Sequence, residues 1–178
     1  MADSFRTIFD RTITVVPPCV EVPAARADRA RFGLEEGVHL FLFSFDYHSF
    51  PQRKNPLGVL RAFQAAFAGS DARVGLVVKT TGARDHHPEL RRELLAAADR
   101  DGRVRVLDES IPREGMLALI ASIDGYVSLH RAEGFGLGMA EAMSLGKPVI
   151  ATGYSGNAEF VTPATGYPIP YALRPLEP

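Results

Sequence analysis

The strongest constraint on this chain is an alternation of apolar runs and amphipathic segments that begins at Val38. Residues 38–45 read Val-His-Leu-Phe-Leu-Phe-Ser-Phe, nearly apolar at every position. A strand apolar on both faces is expected where helices cover both sides of a parallel sheet. Residues 56–68 follow at helical spacing, with Leu60, Phe63 and Phe67 on one face and Gly69-Ser70 as a stop. The cycle then repeats. Strands are expected at 74–79, 104–107, 125–129 and 148–151. Between them lie a helix at 88–99 carrying Leu90, Leu94 and Ala98, and one after Pro112 carrying Met116, Leu119, Ile120 and Ile123. Proline suits the first turn of such a helix. A further helix at 136–145 ends at Gly146, a short one is expected at 155–161, and residues 166–169 read as a sixth strand. The pattern predicts an α/β fold, a Rossmann-like doubly wound parallel sheet of about six strands. Ligands of such sheets bind beyond the carboxyl ends of the strands. Function is therefore expected in loops 46–55, 80–87, 108–112, 130–136 and 152–157.

The 178 residues suffice for one domain. Residues 1–37 read as a lead-in, 38–170 as the domain and 171–178 as a tail. The lead-in holds a β-prone run at 12–16, cut by Pro17-Pro18, and a short helix at 26–32 before Gly33, which suits a C-cap. Five of the 13 prolines fall in the last 16 residues, so no closing helix is expected there. The charge balance, 20 Lys+Arg against 21 Asp+Glu, argues against a general nucleic-acid or anionic-membrane binder. One cysteine, Cys19, permits no intrachain disulfide and fits a reducing compartment. The apolar runs are too short for a transmembrane segment, and residues 1–10 lack a signal-peptide pattern. A cytoplasmic protein is expected, with membrane-surface association of a full-length protein left open.

The loop at 130–143 is the most informative: His-Arg-Ala-Glu-Gly-Phe-Gly-Leu-Gly-Met-Ala-Glu-Ala-Met. It is glycine-rich and joins a strand to a helix. The amides of Phe135, Gly136 and Leu137 can face an anion, with the positive end of the helix dipole behind them. The spacing is neither the dinucleotide fingerprint nor the nucleotidase phosphate loop. Glu133 and Glu141 bracket the turn. Glu141 lies about five residues into the helix, roughly 7.5 Å along its axis from Gly136. Two acceptors flanking an anion site suit a ligand with hydroxyls on both sides of a phosphate, such as a nucleotide-sugar. Arg53 and Lys54 precede the helix expected from Pro56 and can neutralise a diphosphate from the opposite side. Cations at a helix N-terminus oppose its dipole, so a local electrostatic reason for them is lacking. Lys79 ends the second strand on the same side. His130, at a strand end beside the loop, suits donor contact, loop stabilisation or burial. His86-His87 lacks a metal-ligand pattern, and no metal is expected. Cys19 has no basic partner that would make it a nucleophile.

Residues 128–157 resemble the donor-binding core of family 4 retaining glycosyltransferases with the GT-B fold. The Glu-x7-Glu pattern at Glu133 and Glu141 is the most specific mark. Phe45-Asp46 with Arg53-Lys54-Asn55-Pro56 resembles the first loop of bacterial polysaccharide members, often mannosyltransferases. Ser155-Gly156 with Glu159 is similar to the family's Gly-Gly-x-x-Glu segment. The resemblance spans about residues 10–170.

It implies the C-terminal half of a GT-B fold and a hexosyltransferase that works without a metal or other cofactor. The implied donor is a nucleotide-diphosphate-sugar, with GDP-mannose the first guess. Glu133, Lys54 and Arg53 take the implied catalytic roles: Glu133 at the hexose hydroxyls, the two cations at the diphosphate and leaving group. Gly134, Phe135, Gly136, Leu137, Glu141, Lys79 and His130 are the implied donor-binding residues, with Glu141 at the ribose. Many relatives carry Gly-Arg five residues before the matching lysine. Ser49 stands there in this chain, so Arg53 or another cation must substitute. The acceptor is implied to bind an N-terminal domain absent from this chain, and the fragment alone is expected to be inactive. The alternatives are a stand-alone nucleotide-sugar-binding or regulatory module, and an epimerase of the same fold.

Overall fold

The computed structural model describes residues 7–8, 11–14, 16–82 and 86–175. The expected run at 12–16 forms no strand among its described residues, and Val15 lies outside them. Pro17 and Pro18 have no N–H with which to continue a ladder. Residues 83–85 of loop 80–87, residues 176–178 of the tail and most of the first ten residues also lie outside the described set.

Six strands form one parallel sheet: β1 (His39–Asp46), β2 (Val74–Thr81), β3 (Val104–Asp108), β4 (Gly125–Ser128), β5 (Val149–Thr152) and β6 (Tyr167–Ile169). Their spatial order is β3-β2-β1-β4-β5-β6, the doubly wound arrangement. The helices are α1 (Pro51–Lys54), α2 (Pro56–Ala66), α3 (Pro88–Arg100), α4 (Arg113–Ser122) and α5 (Leu137–Ser144). Single 3₁₀ turns occur at Ala30–Phe32 and Gly156–Glu159, shorter than the helices expected there.

The apolar run in β1 follows from the two layers it separates. Leu40 and Leu42 point to one face, packing with Leu119, Ile120, Met139 and Ala142 from α4 and α5. Phe43 and Phe45 point to the other, among Val59, Leu60 and Phe63 of α2 and Leu94 and Ala97 of α3. Each fully buried Leu or Phe contributes roughly 1.5–3 kcal/mol, so a polar residue is costly almost anywhere along β1. Between the polar ends His39 and Asp46, Ser44 is the exception, and it lies in the site described below.

Arg29 joins the lead-in to the foot of the sheet. Its guanidinium donates to the carbonyls of Ser122, Glu35 and Val38 and pairs with Asp124 at 2.8 Å. Asp124 also accepts the Leu40 amide, pinning the start of β1 beside β4. Phe32 and Leu34 then close the adjoining layer.

Candidate functional site

The strand order reverses between β1 and β4, which pair at Phe41–Gly125 and Leu42–Tyr126. From there the chain leaves toward α2 on one face and α5 on the other, and the loops diverge above the sheet. An open cleft of about 420 Å³ lies at this point. Such a switch point is where ligands of open α/β sheets bind.

Three loops form its walls and are stitched to one another. Asn55 separates α1 from α2 in the left-handed region, φ 57°. Asparagine tolerates that conformation better than most residues, and its side-chain amide donates to the Leu129 carbonyl at 2.9 Å. The Arg131 amide donates to the Arg53 carbonyl at 2.7 Å, and the Arg53 guanidinium donates to the Ala132 carbonyl at 3.2 Å. On the far side, Gly156 donates to the Glu133 carbonyl at 3.3 Å. A Cβ on Gly156 would meet the Gly134 oxygen at 1.9 Å, so only glycine permits this approach.

This stitching brings Lys54 and Glu133 together across 79 residues in a direct ion pair, with Arg53 3.7 Å away on the second carboxylate oxygen. Arg53 is steadied by Ser49, whose hydroxyl accepts from it at 3.0 Å. The Gly134 amide donates to Glu133 at 3.1 Å. Burial alone would push the Glu133 carboxyl up, but the bond and charge of Lys54, the charge of Arg53 and this amide together hold it below the usual carboxylate value. The basic pair precedes α2, which begins at Pro56 as expected. It also closes the last turn of α1, where the dipole favours cations.

The opposite wall is the start of α5. Gly136, its N-cap, has φ 95° and accepts from the Met139 and Ala140 amides. The first turn of α5 carries no acidic side chain, whereas those of α3 and α4 carry Glu89 and Glu114. The positive end of the α5 dipole therefore faces the cleft uncompensated by its own residues. Beneath it, the Tyr126 hydroxyl bonds to Ser44 at 2.6 Å, and a Cβ on Gly138 would sit 2.6 Å from that hydroxyl. Burial pushes the Tyr126 phenol up to about 12, so it remains protonated and neutral. Glu141 is buried one turn further along α5 and forms an ion pair with Arg113 at 2.7 Å.

Of the residues singled out by sequence, Arg53, Lys54, Lys79, Glu133, Gly136, Leu137 and Glu141 line this cleft. Lys79 is 4% exposed, and two of its three N–H donors go to the Thr80 and Glu109 carbonyls. Burial lowers its pKa, opposed by the charges of Glu109, Asp108 and Asp46. Gly134, Phe135 and His130 lie outside the cleft lining. The Gly134 amide serves Glu133, and Phe135 stacks on Phe160 with ring centres 5.1 Å apart. His130 is 1% exposed and bridges Ser128 to the Tyr154 carbonyl, both at 3.0 Å. A carbonyl only accepts, so the Nε2 that faces it carries a proton. In this role His130 ties β4 to the loop after β5.

His48 bonds to Asp46 at 3.0 Å and touches His86 edge-on, but no group of three potential ligands forms among the described residues. No helix among the described residues is long and apolar enough to cross a membrane. Sequence reasoning passed over Ser44, Asn55, Arg113 and Tyr126 as site residues. Ser44 carried a signal, as the one polar residue between Leu40 and Phe45, and Asn55 stood in the Arg-Lys-Asn-Pro run of the first loop.

Comparison with known proteins gives a consistent picture. The sequence pattern of the family described as Glycosyl transferases group 1 matches residues 37–172. Over 109 residues the chain is 32% identical to O-antigen chain mannosyltransferase B of Escherichia coli, a match covering 61% of this chain and 28% of that protein. The chain thus spans less than a third of that relative. Among solved structures, the C-terminal domain of a glycosyl transferase group 1 family protein (LpcC) from Francisella tularensis superposes with a TM-score of 0.67 at 18% identity. That match covers 84% of this chain and 77% of that one. A chain of the GtfA/B complex gives a TM-score of 0.63 at 19% identity, covering 89% of this chain and 28% of that one.

Proposed function

The chain belongs to the glycosyl transferases group 1 family, and from that premise we propose that it is the donor-binding part of a retaining hexosyltransferase. The donor is a nucleotide-diphosphate-sugar. Mannose is the first candidate sugar and GDP-mannose the first candidate donor, supported by the O-antigen relative. The acceptor, a glycan or a lipid-linked glycan, is held by a separate N-terminal domain.

The observation that carries this reading is the Lys54–Glu133 pair, with Arg53 beside it, across the cleft from the start of α5. An entering diphosphate finds cations on one wall and helix amides on the other, the arrangement that stabilises a departing nucleoside diphosphate without a metal. Lys54 and Arg53 move their charge from Glu133 to the phosphates. Glu133, already next to them, is then the acceptor for hexose hydroxyls. Glu141, one turn along α5, accepts the ribose hydroxyls. The Ser44–Tyr126 bond gives the cleft a neutral floor.

Calorimetry against GDP- and UDP-sugars tests the proposal. Binding by at least one of them is expected. Glu133→Gln should weaken binding of that nucleotide-sugar more than binding of the matching nucleoside diphosphate. Absence of binding across the panel by the folded chain would overturn the reading.

A further inference from the structure

Arg113 opens α4, directly after Pro112, with no carboxylate of its own first turn other than Glu114 beside it. A cation at that end of a helix is disfavoured by the dipole, so its placement calls for a partner elsewhere. That partner is Glu141, on α5, 28 positions later in the sequence. The two differ sharply in exposure: the Arg113 side chain is 53% exposed and that of Glu141 only 7%. The guanidinium therefore reaches inward from the rim to a carboxylate in the cleft wall. It is also held from outside, because Nη2 donates to the Glu21 carbonyl at 3.3 Å. Ile111 and Met116, on either side of Arg113 in the chain, both line the cleft, as does Glu141.

A carboxylate buried to this degree has lost most of its water, and the guanidinium on one oxygen holds it in one orientation. An ionised carboxylate only accepts hydrogen bonds. Ribose hydroxyls supply donors to it, and a dideoxyribose supplies none.

We propose that Arg113 is a positioning residue that fixes the Glu141 carboxylate, and thereby sets the preference of the cleft for ribonucleotide over dideoxyribonucleotide diphosphates. The inference rests on the assignment of Glu141 to ribose made above. It concerns the residue that makes that acceptor selective, not the acceptor itself.

The test is calorimetry of the chain with GDP, UDP and their 2′,3′-dideoxy counterparts, using whichever base binds. The unmodified chain should favour the ribose form by about tenfold, the scale of one hydrogen bond to a charged group. Arg113→Gln should reduce that ratio to about twofold while changing dideoxynucleotide affinity by less than about twofold. Arg113→Lys should restore most of the ratio. Arg113→Gln combined with Glu141→Gln should discriminate no less than Glu141→Gln alone. A full ribose preference in Arg113→Gln overturns the inference while leaving the ribose assignment standing. A full preference in Glu141→Gln, or no nucleotide binding by the unmodified chain, overturns the assignment and the inference with it. Equal losses of ribose and dideoxy affinity in Arg113→Gln show a purely structural clasp between α4 and α5, and also overturn it. Thermal melts confirm that each variant is folded.

Discussion

The two ends of the sheet make an instructive pair. Both carry cations, carboxylates and a cavity, and the cavity at the amino ends of β1–β3, about 510 Å³, is the larger. There Arg73 pairs with Glu35 at side-chain exposures of 61% and 73%, and Arg103 pairs with Asp101 only two residues away. At the carboxyl ends Lys54 and Glu133 are 18% and 10% exposed and come from loops 79 residues apart. The last turn of α3 lies near the first cavity and the first turn of α5 lines the second, so the helix dipoles favour anions only at the second. Size therefore does not set the candidate site apart. What marks it is charge held out of water by long-range geometry.

Substitutions can break this contrast, beginning with the largest effect. Lys54→Ala should cost about 2–3 kcal/mol of stability, because it leaves Glu133 buried without its main partner. It should also lower nucleoside diphosphate affinity about tenfold or more. Chemical denaturation and calorimetry read the two effects separately. Asn55→Ala should cost about 1–2 kcal/mol, since alanine is strained at φ 57° and the bond to Leu129 is lost. Ser155→Gly should act in the opposite direction. Ser155 has φ 77° and ψ −159°, a region populated essentially by glycine, and a gain of about 1 kcal/mol in stability, read as a higher denaturant midpoint, is expected.

Acidification sharpens the same contrast. The Glu133 carboxyl is held below its ordinary value of 4.5. A depressed carboxyl contributes stability above its unfolded pKa, and that contribution is lost as pH falls through the folded value. Stability measured from pH 6 down to pH 3 should therefore decline less steeply in Glu133→Gln than in the unmodified chain. The smallest effect belongs to the other end: Arg73→Ala should change stability by less than about 0.5 kcal/mol and leave nucleotide binding unaltered.

The sheet was legible because both faces of β1 and β2 are covered, which forces apolar residues at consecutive positions that no exposed strand would carry. The turn before α5 was legible for a similar reason. Gly136 and Gly138 are required by a positive φ and by the Tyr126 hydroxyl, and both requirements show as glycine in the sequence. Helix α1 was not legible. Its four residues lie between Phe50 and the Asn55 break, too few to show periodicity, so Arg53 and Lys54 were expected ahead of α2 but not also in the last turn of α1. Arg113 gave no signal because its partner is fixed only when α4 and α5 pack on the same face. His130 lay where expected, at a strand end, but the direction of its ring depends on the Tyr154 carbonyl 24 residues on.

The pairing of β1 with β4 has a consequence for the order in which the molecule assembles. The units β1–α2–β2 and β2–α3–β3 join neighbours in sequence and can close early, at small entropic cost. The cleft cannot exist until β4 has found β1 across some eighty residues, and the loops carrying Lys54 and Glu133 meet only then. A partly folded chain with half its sheet would thus have no affinity for a nucleotide-sugar. Ligand recognition would appear only once β4 is docked on β1, and a donor would stabilise only states that contain that pairing.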